Sequence, residues 1–244
     1  MRVKTGIEGL DKALKGGIPK GNIVLVSGGA GTGKSTLCMQ YLYNGAKLFG
    51  EKGLYVSTEQ GIKELKKAAE TYGWNLEELE KKGLVKLVYF DAVESDNFLE
   101  KIYDLYASFT PKRIAIDSLT TLADSLMISG DQSNSAFSLA KVAESVSPIP
   151  KSERIIQKSL LYHLMKKLRL FDATILMTSE LLEGESGLSA DQISEFICDG
   201  VIVLKSLTVG EILNRTIEIR KMRYSPMDGG IKSYEIGPQG LLVA

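Results

Sequence analysis

The stretch that decides the fold reads Gly28-Gly29-Ala30-Gly31-Thr32-Gly33-Lys34-Ser35-Thr36. It fits the pattern GxxxxGK(S/T), which marks a phosphate-binding loop, or P-loop, when it lies between a strand and a helix. Residues 22–27 before it are mostly apolar and β-branched and predict a buried strand, and the apolar residues 37–42 after it predict a helix. The stretch therefore has the flanks that separate a P-loop from a chance glycine-rich turn.

The chemistry of this loop is the binding of a polyphosphate. Its glycines let the backbone bend so that successive N–H groups point inward, and the helix N-terminus adds a partial positive charge. We expect Lys34 to reach the β- and γ-phosphates and Ser35 to offer its hydroxyl to Mg²⁺. Thr36 is a neighbouring hydroxyl whose role the pattern does not fix. The sequence thus predicts that residues 28–36 together form a nucleotide site.

Length and charge bound the class of protein. With 244 residues we expect one domain, 1–244, that buries a full core. Lysine plus arginine equals aspartate plus glutamate at 30 each, so no net positive field supports nucleic-acid binding, and only a local basic site stays open. No apolar run is long enough to span a membrane, and residues 1–5 do not lead into a signal-peptide core, so we expect a cytoplasmic protein.

The cysteines and the histidine show no pattern typical of a catalytic or metal site. Cys38 and Cys198 lie far apart among apolar residues, and we interpret both as reduced core thiols. His163 falls within the apolar pattern of a helix, where a position on the flank is the simpler interpretation. The candidate active groups therefore lie elsewhere in the chain.

Strands alternate with helices through most of the chain. The strands predicted after the first are 53–58, 85–90, 113–117 and 173–178. The helices predicted between them are 62–72, one starting at Asn75 with Glu78 as its capping partner, one capped by Asp96, and one from Ser152 to residue 171. This alternation predicts an α/β fold with a mainly parallel sheet and helices on both faces, whose ligands gather at the carboxyl ends of the strands.

Two later regions differ from this pattern. The last predicted strands follow one another without helices and indicate an antiparallel extension of the sheet; they are 201–204, 215–222, 232–236 and 241–243. Residues 123–152 are rich in serine and predict a loop around one helix, 134–144. This loop is either a plain solvated connection or a surface for a protein partner or polymer near the nucleotide.

Two carboxylates extend the candidate site. Asp117 ends a mostly apolar strand, the Walker B arrangement, in which a buried strand brings one carboxylate toward Mg²⁺. Hydrolysis also needs a group that holds and polarises an attacking water, and Glu59, at the tip of the strand after the P-loop helix, could do so. The alternatives are that Glu59 is a plain exposed carboxylate or that Gln60 is the polar group that acts.

Together, several motifs resemble one domain of the KaiC family, the RecA-like ATPases that include the cyanobacterial clock protein. They occur in the family's order over nearly the whole chain: Thr5-Gly6-Ile7-Glu8-Gly9-Leu10-Asp11, Gly16-Gly17, the P-loop, Tyr55-Val56-Ser57-Thr58-Glu59-Gln60, Ile116-Asp117-Ser118, Thr178-Ser179-Glu180 and residues 215–223. The resemblance implies a RecA-type fold, binding of ATP (or ADP) with Mg²⁺, and assembly into a ring, commonly a hexamer, with nucleotides at subunit interfaces.

The resemblance also implies roles for particular residues. Glu59 falls on the first of the family's paired glutamates, the one that activates water; the second is Gln60 here, which retains polarity and loses a charge. Lys221 and Arg223 fall on the Lys-x-Arg pair that reaches a neighbour's γ-phosphate. Strand alternation sends both side chains to the same side, as a two-pronged clamp requires, whereas without the family we would interpret them as a solvated strand face.

Further positions concern the base and the type of family member. Arg215 and Ile236 fall on positions that pack around the base, although Gly237-Pro238 follows where an acidic residue is usual. Residues 194–196 read Ser-Glu-Phe and resemble the hydrolytic half of two-domain members, not the half with an adjacent Ser-Thr pair that accepts phosphate. This segment therefore argues against clock-type autophosphorylation, and the single expected domain argues against a clock role.

Three functions fit these observations to different degrees. The first is ATP hydrolysis by a ring-forming RecA-like enzyme, in which Lys34, Glu59, Lys221 and Arg223 are catalytic. The second is a nucleotide-gated interaction module, like the archaellum-associated KaiC relatives, in which ATP sets the assembly state and hydrolysis is marginal; Gln60 and the serine-rich loop favour it. The third is a DNA recombinase or helicase. It fits the predicted RecA-like core, but the net charge of zero gives no support for DNA binding.

Overall fold

The computed structural model describes residues 1–91, 98–123, 153–181, 187–209, 212–227 and 229–244. In chain order the elements are β1 (Arg2–Val3), α1 (Leu10–Ala13), β2 (Ile18–Pro19), β3 (Ile23–Gly28), α2 (Lys34–Phe49), β4 (Gly53–Ser57), α3 (Ile62–Glu70), α4 (Leu76–Lys81), β5 (Val85–Tyr89), α5 (Phe98–Phe109), β6 (Arg113–Asp117), α6 (Glu153–Leu168), β7 (Thr174–Glu180), α7 (Ser194–Ile197), β8 (Gly200–Val209), β9 (Ile212–Met222), β10 (Ile231–Gly237) and β11 (Gly240–Val243). The caps predicted at Asp96 and Ser152, and the loop 123–152 beyond its first residue, lie outside the described residues. Within the described ranges, no helix combines the length and the apolar character that a membrane crossing requires.

One nine-stranded sheet organises the molecule, in the order β11-β10-β9-β8-β3-β7-β6-β4-β5. The six strands from β8 to β5 are parallel, and β9, β10 and β11 continue the sheet in antiparallel fashion. The predicted mainly parallel sheet and its antiparallel extension are confirmed. One detail differs, because β8 runs parallel to β3 and the extension begins only at β9. The helix before β8, α7, has four residues and is too short to leave a periodic pattern in the sequence.

The sheet separates two apolar cores. Along β3, Val24 and Val26 face the core that contains α2, α3 and α4, whereas Ile23 and Leu25 face the core that contains α5 and α6. The strand is therefore buried on both faces. This explains why residues 22–27 show an almost continuous apolar run rather than alternation of apolar and polar residues.

Helix ends follow local backbone chemistry. The side chain of Asn75 accepts the N–H of Glu78 at 3.0 Å and caps α4, as predicted. The helix α3 ends at Glu70, two residues before its predicted end, and Gly73 follows with a positive φ of 72° that no helix continues through. The chain between these helices is thus a tight turn.

The carboxyl ends of the parallel strands meet at one edge of the sheet, which we call the carboxyl edge. The strand register places Gly28 of β3 opposite Glu180 of β7, and Ser57 of β4 opposite Asp117 of β6. The loops after these strands therefore lie side by side. This is the edge where open α/β sheets bind their ligands.

At the opposite edge, the amino edge, a buried arginine ties the sheet to α2. The guanidinium of Arg113 donates to the Glu51 carboxylate at 2.6 Å and to the Tyr41 carbonyl at 3.1 Å, and its side chain is 1% exposed. Gly45 on α2 leaves room for it, since a Cβ built there would lie 2.4 Å from Arg113 Cδ. The close approach of helix and sheet at this point depends on that missing side chain.

We expect Gly45→Ala to lower the free energy of unfolding by about 1–3 kcal/mol, because the added methyl group overpacks a buried and hydrogen-bonded side chain. Urea denaturation measures the change. The control is Gly229→Ala, whose Cβ would meet no heavy atom within 4 Å and whose effect should stay within about 0.5 kcal/mol. A Gly45→Ala variant as stable as the wild type would contradict the close packing of Gly45 against Arg113.

The two cysteines lie one in each core, and both are free. Burial raises the pKa of Cys198 to about 12, and burial together with the Asp117 charge raises the pKa of Cys38 well above its usual value. Both thiols therefore stay protonated and shielded at neutral pH.

We expect an aromatic disulfide reagent to react with neither cysteine of the native protein at pH 8, because reaction requires an accessible thiolate. In urea, both cysteines of the chain should react. Absorbance of the released thiolate measures the reaction, and a Ser108→Cys variant, exposed on α5, provides the positive control. Rapid reaction of either native cysteine would contradict its placement in the core.

Candidate functional site

The predicted P-loop connects the end of β3 to the start of α2 at the carboxyl edge. Gly31 and Gly33 have φ values of 71° and 87°, in the left-handed region that favours glycine. Gly28 is buried, and a Cβ there would lie 2.6 Å from the Leu204 carbonyl oxygen. Ala30 and Gly31 are exposed at the tip. The loop is thus held against the sheet at its base and open at its tip.

The loop is braced from within by two of its own side chains. The ammonium of Lys34 donates to the carbonyl oxygens of Gly28 and Gly29 at 2.9 and 3.0 Å. The hydroxyl of Thr32 donates to the same Gly29 oxygen at 2.8 Å. The positive charge of Lys34 therefore lies directly against the backbone of the loop.

The Asp117 carboxylate lies close to the first turn of α2. It is 4% exposed and accepts hydrogen bonds from the Tyr55 hydroxyl at 2.6 Å and the Thr178 hydroxyl at 2.5 Å. Burial and the Asp117 charge raise the pKa of Tyr55 well above its usual value, while a hydrogen bond with Ser35 acts in the opposite direction. The Ser35 hydroxyl and the Asp117 carboxylate thus flank one phenol oxygen, that of Tyr55.

Glu59 lies beside Asp117, at the tip of the neighbouring strand. Its Oε1 atom accepts hydrogen bonds from the hydroxyls of Ser118 and Thr121, the second at 2.9 Å. The Thr58 N–H donates to the Asp117 carbonyl at 2.7 Å, which joins the tips of β4 and β6. Because Glu59 is exposed, its carboxylate is both held in place and accessible to water.

Lys221, on β9, and Arg223, one residue past the end of β9, both contact α7. The Lys221 ammonium donates to the carbonyls of Glu195 and Phe196 at 2.9 and 3.0 Å, and Arg223 donates to the Phe196 carbonyl and to Asp199 at 3.3 Å. Burial, and then the charge of Arg223, lowers the pKa of Lys221. The end of α7 therefore holds both cations.

This cation pair lies far from the P-loop of its own chain. Lys221 pairs with Val201 of β8, which in turn pairs with Leu25 of β3. Leu25 precedes Gly28 by three residues, which at about 3.3 Å per residue is about 10 Å along the strand. The P-loop rises beyond the carboxyl edge, whereas α7 and the two cations lie toward the amino edge. Within one chain, the structure does not bring these parts of the predicted site together.

The structure places Ile236 against the P-loop and Arg215 beside Tyr234, whose hydroxyl contacts the same loop. A Cβ built on Gly33 would lie 2.6 Å from Ile236 Cδ1, so Ile236 covers the loop at that point. Arg215 lies near Tyr234, since its charge opposes the rise that burial causes in the pKa of Tyr234. The buried Nε of Arg215 has no hydrogen-bond partner among the described residues.

Several residues that shape the site were not predicted. Tyr55 and Thr178, which hold Asp117, could have been suspected, because both lie on strands next to β6 and Thr178 is a polar residue near the end of an apolar strand. Tyr234, whose hydroxyl donates to the Thr32 carbonyl, is 202 positions away in the chain. No local pattern in the sequence indicates a contact over that separation.

The comparisons with known proteins all indicate one family and cover nearly the whole chain. A family model described as "ATPase: KaiC" matches residues 3–140 and 139–244. The circadian clock oscillator protein KaiC of Picosynechococcus sp. is 32% identical over 224 residues, which cover 91% of this chain and 40% of that protein. The KaiC of Parasynechococcus marenigrum is 27% identical over 254 residues, covering 99% of this chain and 44% of that protein. The chain thus spans less than half the length of these clock proteins.

A solved structure matches the fold at full length. The crystal structure of a KaiC-like protein from the hyperthermophilic archaeon Pyrococcus horikoshii OT3 has a TM-score of 0.81 and 34% sequence identity. The match covers 100% of this chain and 99% of the archaeal one. Together with the family model, it shows that the chain belongs to the KaiC family of RecA-like ATPases.

Proposed function

We propose that residues 1–244 act as one ATPase domain, which binds ATP with Mg²⁺ and hydrolyses it at a site shared between subunits of a ring. One observation carries this proposal: Lys34, Asp117 and Glu59 gather at the carboxyl edge, whereas Lys221 and Arg223 lie toward the amino edge. Lys221 is aligned through β8 with Leu25, which precedes Gly28 by about 10 Å along β3. A second copy of the chain is the simplest source of further cations for the site at the carboxyl edge.

The P-loop amides and Lys34 would bind the triphosphate. On binding, the Lys34 ammonium would exchange its hydrogen bonds with the Gly28 and Gly29 carbonyls for bonds with phosphate oxygens. Ile236 offers an apolar surface beside the loop. Arg215 offers its buried Nε–H group, which has no hydrogen-bond partner among the described residues. These two residues are the candidates for contact with the base.

The oxygen ligands offered by Ser35 at the start of α2 and by Asp117 at the end of β6 fit Mg²⁺. The Ser35 hydroxyl and the Asp117 carboxylate flank the Tyr55 hydroxyl, and hard cations such as Mg²⁺ prefer oxygen ligands of these two kinds. When bound, Mg²⁺ would neutralise negative charge on the phosphates. Tyr55 and Thr178 would keep the Asp117 carboxylate oriented, because each donates to a different one of its oxygens.

Glu59 would hold the attacking water. Both hydroxyl donors, Ser118 and Thr121, reach the same carboxylate oxygen, Oε1, so Oε2 can accept from a water molecule. A carboxylate that is fixed on one side and exposed on the other can orient water and polarise its O–H bond. The reaction would otherwise rest on electrostatic stabilisation by the P-loop amides, Lys34 and the cations of a neighbour.

A ring with head-to-tail interfaces would complete the site. In such an assembly each subunit presents one surface to the next, and the two faces of the interface differ. The surface with Lys221 and Arg223 would meet the P-loop of the adjacent subunit, and membership of the KaiC family favours six subunits. Turnover per subunit should therefore rise with protein concentration.

We expect Glu59→Gln to bind ATP as tightly as the wild type and to lose about 10²- to 10⁴-fold in kcat, because the amide is a far weaker base. Titration calorimetry measures the binding, and phosphate release measures the turnover. The matched control is Glu70→Gln, an exposed glutamate on α3 whose turnover should be unchanged. Undiminished phosphate release by Glu59→Gln would exclude this role for Glu59.

We expect Glu59→Gln and Lys221→Met to complement each other in mixed rings. Each variant alone should hydrolyse ATP slowly, since one lacks the base and the other lacks a cation supplied to its neighbour. After random mixing in equal amounts, one interface in four combines an intact Glu59 with an intact Lys221, so the mixture should regain about a quarter of the wild-type rate. A mixture that exchanges subunits but shows only the mean of the two separate rates would contradict a shared site.

A second function is favoured by one specific observation, the glutamine that follows Glu59. Gln60 is exposed and carries no charge where the family has a second glutamate, which would leave Glu59 as the one carboxylate at this strand tip. Under this alternative, ATP would set the assembly state and the docking of a protein partner, with marginal hydrolysis. Tight ATP binding with a change in assembly and no measurable phosphate release would favour the alternative over the enzyme.

A further inference from the structure

The P-loop is held from outside by a side chain of the last strands. The Tyr234 hydroxyl on β10 donates to the Thr32 carbonyl oxygen at 2.5 Å. Tyr234 is 3% exposed and Thr32 is 1% exposed, so water does not compete for this hydrogen bond. Burial raises the pKa of Tyr234 to about 12, although the charge of Arg215 opposes the rise. The hydroxyl therefore keeps its proton and stays a donor over the whole neutral range.

This hydrogen bond fixes the plane of one peptide in the loop. In a planar trans peptide, the C=O and the N–H point in opposite directions. Because the Thr32 carbonyl points at β10, the N–H of Gly33 points away from β10 and into the loop. Gly33 is the N-cap of α2, so this N–H also lies at the positive end of the helix. It is one of the amides that a P-loop directs at a phosphate.

Further contacts fix β10 relative to the loop. Ile236, two residues after Tyr234 and on the same strand face, covers Gly33. The side chain of Gln40 on α2 donates to the Leu241 carbonyl at 3.1 Å and accepts the Leu241 N–H at 2.8 Å. The hairpin of β10 and β11 is thus tied to the helix that begins at the P-loop.

The Tyr234 hydrogen bond differs from those made inside the loop. The Lys34 ammonium bonds two loop carbonyls and is also the group that would contact a phosphate, so its hydrogen bonds would change when a ligand binds. The Tyr234 hydroxyl contacts the carbonyl side of the Thr32-Gly33 peptide, opposite the N–H that would face a ligand. This hydrogen bond can therefore persist when a ligand binds. It can therefore hold the loop in the bound shape as well as in the free one.

We propose that Tyr234 is a positioning residue of the P-loop, whose hydroxyl presents the Gly33 N–H to the phosphates of a bound nucleotide. The proposal rests on the proposed nucleotide binding and requires neither hydrolysis nor a ring. It assigns a phosphate-binding role to the C-terminal hairpin in addition to the base contact proposed for Ile236.

The test compares the full-length wild type with Tyr234→Phe, which removes only the hydroxyl. The control is Tyr103→Phe, a tyrosine on α5 that is 58% exposed. Calorimetry with Mg²⁺ measures the Kd for ATP and for inorganic tripolyphosphate, which has no base. We expect Tyr234→Phe to raise both Kd values about fivefold, the effect of one neutral hydrogen bond, and to reduce the rise in Tm that ATP causes. Tyr103→Phe should match the wild type.

Three outcomes would overturn the proposal. Unchanged Kd values with a lower Tm of the unliganded protein would assign the hydroxyl to stability alone. A weaker Kd for ATP with an unchanged Kd for tripolyphosphate would place its effect at the base. A wild-type protein that binds neither compound would contradict the proposed nucleotide binding as well, whereas the first two outcomes leave that function intact.

Discussion

The parallel pairing of β3 with β7 on one side and β8 on the other is the constraint on which the candidate site depends. This ladder places Gly28 opposite both Glu180 and Leu204, so the P-loop starts at a fixed position on the carboxyl edge of the sheet. A slip of one residue would exchange the side chains that face the two cores, and both cores are apolar and closely packed. Because both faces of β3 are apolar, its register depends on how its side chains pack in the two cores and not on a contrast between an apolar and a polar face.

Hydroxyl groups hold the acidic side chains of the site in place. Tyr55 and Thr178 donate to Asp117, and Ser118 and Thr121 donate to Glu59. Asp117 is buried and Glu59 is exposed, so these hydroxyls hold one carboxylate inside the sheet and the other at its surface.

The cations at the other end of the sheet are held by a different network. The Asp199 carboxylate is 2% exposed and accepts from the Ile23 N–H, from Arg169 and from Arg223. Lys221 and Arg223 also donate to carbonyl oxygens at the end of α7, which the short helix leaves without intrahelical partners. The network fixes this basic surface relative to β3, and through β3 relative to the P-loop of the same chain.

Local sequence patterns were sufficient to predict the sheet class and the place of the P-loop. The apolar run before Gly28, the glycines and Lys34 are adjacent in the chain, and an uninterrupted apolar strand means burial on both faces. The cap of α4 at Asn75 was predictable for the same reason, because Glu78 lies three residues away. Helix α7 and the parallel direction of β8 were not predictable, because a helix of four residues is too short to show a helical period of apolar residues.

The amino-acid sequence alone thus predicted the α/β class, the candidate phosphate loop and the two candidate carboxylates, because each depends on residues close together in the chain. Only the tertiary structure decided what surrounds them. The hydroxyls of Tyr55 and Thr178 reach Asp117 across strands, and Tyr234 reaches Thr32 over 202 positions. The separation of Lys221 and Arg223 from the P-loop likewise follows from strand order and direction. Such contacts arise from the packing of distant segments, and no local pattern encodes them.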